Sequence, residues 1–182
     1  MSQYEMLTPE QRGLLVGLIY RVGIWISHSD DEDGENDDKR EMKALSQIIH
    51  SLAHAEEASE FLRTIAKNTL SRKEKWPLWA DHSFDILADA ENAMEVLRAN
   101  VAKEEAAEYR AALLRISEAV ASAHGEFGFD MSGEEEGFGA LIGKMIGKIK
   151  GDNDDEIDIG NISAAENDAI ERLKMATRPR DK

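Results

Sequence analysis

The chain has 182 residues, no cysteine and a formal net charge of −15. Without cysteine there are no disulfides, thiolate metal sites or cysteine nucleophiles, which fits a reducing compartment, and a cytoplasmic location is the default expectation. So acidic a balance argues against a nucleic-acid partner, because phosphate binding needs clustered Lys and Arg.

Met1 to Thr8 is short and not basic, so it does not read as a secretory leader. Thr8-Pro9-Glu10-Gln11 predicts the start of a helix. Thr8 serves as N-cap, Pro9 sits at the first position where its missing N–H costs nothing, and Gln11 closes a capping box. Leu15, Leu18, Ile19, Val22, Trp25 and Ile26 then recur at helical spacing, making a face that must be buried. The apolar run from Gly13 to Ile26 holds fourteen residues, Arg21 among them. It is too short to span a bilayer and suits a buried central helix. Gly13 and Gly17, four apart, predict close approach by another helix.

Seven acids follow in nine positions: Asp30, Asp31, Glu32, Asp33, Glu35, Asp37 and Asp38. The preceding helix already ends in unpaired carbonyls and a negative dipole, so crowding carboxylates there is unfavourable unless water, salt or a bound cation relieves the repulsion. Two readings stand: a cation site, and a solvated, mobile loop. Neither acidic stretch is an EF-hand. With Gly34 as the sixth residue of such a loop, Arg40 takes the place of the chelating Glu; with Gly160 there, Ile157 and Ile159 occupy ligand positions. A different oxygen site remains open, in which Asp31, Asp33, Glu35 and Glu41 converge, with Glu126 and Glu135 as second-half candidates. All-carboxylate ligation favours Ca²⁺ or Mg²⁺ over Zn²⁺. Glu41 also has a structural reading, as the third-position partner of an Asp38 cap.

Apolar stripes continue helically through Ala44, Leu45, Ile48, Ile49 and Leu52, and then over Ala55 to Leu70. Ser71 to Ala80 is a break whose Trp76 and Trp79 are expected to plug the core edge. Helices are predicted over Phe84 to Ala99 and Lys103 to Ala123, and from a Ser132–Glu135 box to about Lys150. An acidic loop, Asp152 to Asp158, precedes a Ser163–Glu166 box that opens a last helix ending near Met175, before a frayed tail from Arg178 to Lys182. No run alternates like a strand between hairpin signals.

In the helix predicted to end at Lys150, Gly139, Gly143 and Gly147 line one face beside Lys144 and Lys148, opposite Phe138, Leu141, Ile142, Met145 and Ile149. Each interior Gly costs a helix about 1 kcal/mol relative to Ala, so the row needs a reason. Two are open: a close helix–helix contact, and an exposed cationic amphipathic helix for anionic lipid or an acidic partner. His50 and His54 are spaced i, i+4 but lack the acid of a zincin, which leaves a weak transition-metal pair or two structural histidines. No Glu-x-x-His pair, phosphate loop or nucleophile elbow appears, so no enzyme is expected.

The approach to Asp33-Gly34-Glu35 has an echo about ninety residues later, in Ile116 through His124-Gly125-Glu126. Both passages run apolar helix, Gly-Glu, loop, capping box, apolar helix. In this pattern the chain resembles the tellurite-resistance protein TerB family, whose halves each carry a helix ending in an Ala-Asp-Gly-Glu-like turn and an acidic cap. The first copy keeps Asp33-Gly34-Glu35 and then Glu41; in the second, His124 stands where the acid would be. The segment from Glu60-Phe61-Leu62 through Trp76 and Trp79, and the helix from Glu104 to His124, share the resemblance. It implies a non-enzymatic role in bacterial tellurite and stress response, metal binding, and protein partners at the inner membrane surface. The expectation is one all-α domain over residues 1–177, of about seven or eight helices in two related halves, 8–70 and 84–176.

Overall fold

A computed structural model of the chain describes residues 1–29, 35–82, 85–125, 142–147, 149 and 162–180, with side chains described outside 35–41 and 123–125. The protein is an all-α bundle; among the described residues there is no strand. Its elements are α1 (Gln3–Met6), α2 (Pro9–Ser27), α3 (Glu35–His54), α4 (Glu60–Leu70), a 3₁₀ turn (Lys73–Lys75), α5 (Trp76–Ala80), α6 (Ile86–Asn100) and α7 (Lys103–Gly125). A helical run at 142–147 (α8) and α9 (Ala164–Ala176) complete it.

Two helices lie deepest. In α2 the residues from Leu15 to Ile26 are buried on almost every side, with only Arg21 and Trp25 reaching the edge. In α7 everything from Ala112 to Ser122 is buried. A helix that is apolar all round belongs in the centre of a fold rather than on its surface. The two pack together, and α3, α4, α5, α6 and α9 all touch α2. Side-chain hydroxyls tie this centre to its surroundings. The Tyr109 hydroxyl of α7 donates to the Leu15 carbonyl at 2.9 Å, and Thr69 of α4 donates to the Val16 carbonyl at 2.9 Å.

Two expected helix starts hold: Thr8 and Gln11, and Ser163 and Glu166, each form a complete capping box. A third box, Ser2 and Glu5, opens the short α1, which was not expected. The predicted helix from Ala55 begins instead at Glu60, after a turn capped by Ser59. That cap is completed from a distance. Ser59 Oγ accepts from the Leu62 N–H, and the Ser59 N–H, which a third-position Glu would ordinarily take, donates to Oε1 of Glu108 on α7 at 2.9 Å.

Helix α3 also departs from expectation. It starts at Glu35, so Asp38 already lies inside it and cannot be the N-cap whose third residue is Glu41. The earlier start follows from electrostatics: it brings Glu35, Asp37 and Asp38 into the first turn, where a negative charge beside the exposed N–H groups stabilises by about 0.3–1 kcal/mol.

The tryptophans do plug the core edge. Trp76 is buried and stacked on Tyr20 with ring centres 4.4 Å apart, and its Nε1–H donates to the Thr69 carbonyl at 3.1 Å. Trp79 is half-buried and rests over Gly17, where an added Cβ would stand 3.6 Å from the indole, in ordinary contact. The close helix approach expected at Gly13 and Gly17 is found elsewhere. A Cβ at Gly13 would meet nothing within 4 Å, whereas at Gly23 it would stand 2.5 Å from Leu45 Cδ1 of α3. The tail is not loose where it is described. Arg98 donates to the Arg178 carbonyl at 2.9 Å, and the Arg180 guanidinium pairs with Glu91 and Glu95, all from α6.

Both readings of the glycine row require correction. At Gly143 and Gly147 an added Cβ would meet nothing within 4 Å, so neither sits at a tight helix contact. Ile142, Met145, Ile146 and Ile149 are buried in the protein's own core, so the apolar face is not free to enter lipid. Gly139 and the side chain of Lys148 lie outside the described residues. No described helix is long and apolar enough to cross a membrane.

Candidate functional site

The two helices that flank the acidic connection pack on each other, Gly23 of α2 against Leu45 of α3, ten residues into the latter. Gly23, one turn before the end of α2, lets Leu45 of α3 sit directly against the α2 backbone. The connection is thus a short link between helices already docked on one another. At the end of α2 the backbone is satisfied locally: the His28 N–H donates to the Ile24 carbonyl at 3.0 Å, and Ser29 donates from both N–H and Oγ to the Ile26 carbonyl. No basic residue occupies the last turn of α2 to offset its negative dipole end.

Of the expected ligands, Asp31 and Asp33 lie outside the described residues, as do Glu126 and Glu135. Glu35 and Glu41 are both placed on α3, six residues apart, about 9 Å along the axis. Their side chains lie outside the described set. The second acidic loop, Asp152 to Asp158, falls outside it too. Among the described residues, no group of three or more His, Cys, Asp or Glu is arranged to hold a metal ion.

A second polar feature was not anticipated from the sequence. Glu108, Arg115, Glu118 and Ser122 share one face of α7 by their seven- and three-to-four-residue spacing, and all four are buried. Arg115 Nη1 and Glu118 Oε2 form an ion pair at 2.7 Å with both side chains almost wholly out of solvent. Glu166 of α9 is equally buried, with Oε2 accepting from the Ser163 N–H at 3.0 Å. The signal was available: charged residues at the core spacing of a helix flanked by Ile116, Ala119 and Val120 have nowhere to go but inward.

This stripe does structural rather than nucleophilic chemistry. Ser117 and Ser122, the hydroxyls nearest in sequence, donate to the carbonyls of Leu113 and Glu118 one turn back, at 2.9 and 2.7 Å. A hydroxyl committed to its own helix, with no imidazole bonded to it among the described residues, is not an activated nucleophile. The ion pair lies within α7 and balances two desolvated charges there, while Glu108, accepting from the Ser59 N–H, ties the helix to the start of α4.

Two buried phenols contrast with each other. Tyr109 is bonded to the Leu15 carbonyl, and burial holds its hydroxyl well above the usual tyrosine range. Tyr20 is equally buried, yet its hydroxyl oxygen has no hydrogen-bond partner, and burial pushes its pKa up to about 12. Neither phenol ionises at neutral pH, so neither serves as a proton acceptor there.

Compared with known proteins, the chain matches no family model, no curated protein and no solved structure.

Proposed function

We propose that this is a non-catalytic, TerB-like helical protein of the stress-response kind, which takes up a hard divalent cation at the acidic connection between α2 and α3 and docks protein partners. The observation that carries the proposal is the docking of α2 on α3 at Gly23 and Leu45. It docks the two helices joined by a connection with four carboxylates, Asp30 to Asp33, and three more, Glu35, Asp37 and Asp38, begin α3. The α2 end contributes a negative dipole, with no basic residue in its last turn. A divalent cation offsets that accumulation of like charge, and oxygen-only ligation by Asp31, Asp33, Glu35 and Glu41 suits Ca²⁺ or Mg²⁺. Cation uptake then orders the connection and changes the surface offered to a partner, including one at the inner face of a membrane.

A second reading has its own support. The early start of α3 puts positions 35, 37 and 38 in or next to its first turn, where carboxylates are ordinarily favoured without any ion. On that reading the protein is a structural helical adaptor whose acids serve solubility and steering. The Asp31→Asn/Asp33→Asn double variant separates the two. Under the cation reading, added Ca²⁺ or Mg²⁺ raises the melting temperature of the parent protein and not that of the variant. Under the adaptor reading neither protein responds.

A further inference from the structure

His50 and His54 stand one turn apart at the end of α3, both exposed, with ring centres 4.4 Å apart and planes tilted by 32°. The helix beneath them is firmly seated, since Ile48, Ile49, Leu52 and Ala53 are buried on its other side. Nδ1 of His54 lies 2.8 Å from the His50 carbonyl oxygen. A carbonyl only accepts, so this nitrogen carries the hydrogen, and in the neutral ring Nε2 is left with the lone pair. Metal-binding imidazoles are ordinarily prepared in this way, one ring N–H anchored on a carbonyl and the other nitrogen presented. No hydrogen bond holds the His50 ring among the described residues, so it is free to turn toward the same point.

We infer that His50 and His54 form a two-imidazole clamp for a borderline divalent transition ion of the Cu²⁺, Ni²⁺ or Zn²⁺ class, with water completing its coordination. Bonds of about 2.0–2.1 Å let one such ion join two nitrogens up to about 4 Å apart, a span comparable to the 4.4 Å between the two ring centres. Imidazole selects these ions over Ca²⁺ and Mg²⁺, so the clamp is chemically independent of the carboxylates between α2 and α3. The net charge of −15 raises the local concentration of any cation near the surface.

The test is calorimetric titration of the metal-stripped full chain with CuCl₂, NiCl₂ or ZnCl₂, with Mg²⁺ in excess to occupy oxygen sites. One ion binds per chain, tightest for Cu²⁺ in the usual order of the divalent series. Affinity falls as pH is lowered, because protons compete for the same nitrogens. His50→Ala and His54→Ala each weaken binding about tenfold or more, the double variant abolishes it, and His82→Ala leaves it unchanged. Both side chains are exposed, so circular dichroism of the variants matches the parent. Undiminished binding by the folded double variant, or no saturable binding of any of the three ions to the parent chain, overturns the inference.

Discussion

The connection between α2 and α3 and the buried face of α7 handle charge in opposite ways. Between the helices and into the start of α3 the chain gathers seven acids, four of them before Glu35, with no basic residue in the last turn of α2. Along α7 the charges alternate: Arg115 pairs with Glu118, and Glu108 takes a backbone N–H from α4. Like charge is tolerable where water or a mobile ion can reach it; in the interior, where neither can, each charge needs a fixed partner. The second region is therefore a set of fixed interior partners, Arg115 with Glu118 and Glu108 with the Ser59 N–H.

The comparison breaks most visibly at Glu118. Replacing it by Ala leaves Arg115 without the carboxylate 2.7 Å away, and removing one partner of a buried pair costs about 3–5 kcal/mol, read as a lower denaturant midpoint. A loss below about 1 kcal/mol, the size expected of a surface pair, contradicts the placement of this pair in the interior.

The docking of the two helices is probed by glycine. Gly23→Ala drives a methyl into Leu45, and the crowding destabilises by about 1–3 kcal/mol, partly offset by the better helix propensity of Ala. Gly13→Ala meets open space and stabilises by about 0.5–1 kcal/mol. Equal effects at the two positions contradict the close approach of α3 to α2 at Gly23.

The Tyr20 hydroxyl departs from the rule that interior polar groups are partnered. Tyr20→Phe keeps the ring against Trp76 and removes an unsatisfied hydroxyl, so it stabilises by about 1 kcal/mol, whereas Tyr109→Phe, which loses a real hydrogen bond, destabilises by a similar amount. The folded-state pKa of Tyr20 is raised, so its contribution is complete below the ordinary value of 10 and is lost as pH rises toward about 12. Alkaline denaturation between those values is accordingly shallower in Tyr20→Phe.

Much of the fold was legible because its signals are local. Thr8-Pro9-Glu10-Gln11 and Ser163 to Glu166 carry their caps within four residues, and the helix starts follow. The start of α4 was missed because half of its cap comes from Glu108, forty-nine residues away. The start of α3 was misplaced because Asp38 and Glu41 imitate a box, while the preference of Glu35 and Asp37 for a helix N-terminus carries no fixed spacing. Gly23 was passed over for the Gly13/Gly17 pair because which glycine meets a neighbour depends on tertiary packing alone. Of the candidate ligands, the sequence put Glu35 in the connection and Glu41 in the first turn of the next helix, and both lie within α3; Asp31, Asp33, Glu126 and Glu135 fall outside the described residues. The Arg115–Glu118 pair was overlooked because apolar periodicity marks what must be buried and is silent on charges buried with it.

The most direct measurement is calorimetric titration of Ca²⁺ and Mg²⁺ into metal-free protein and into the Asp31→Asn/Asp33→Asn variant. Saturable binding of one ion to the parent chain, lost in the variant, is the predicted result. An absence of saturable heat with either ion up to millimolar concentration contradicts the cation-binding account.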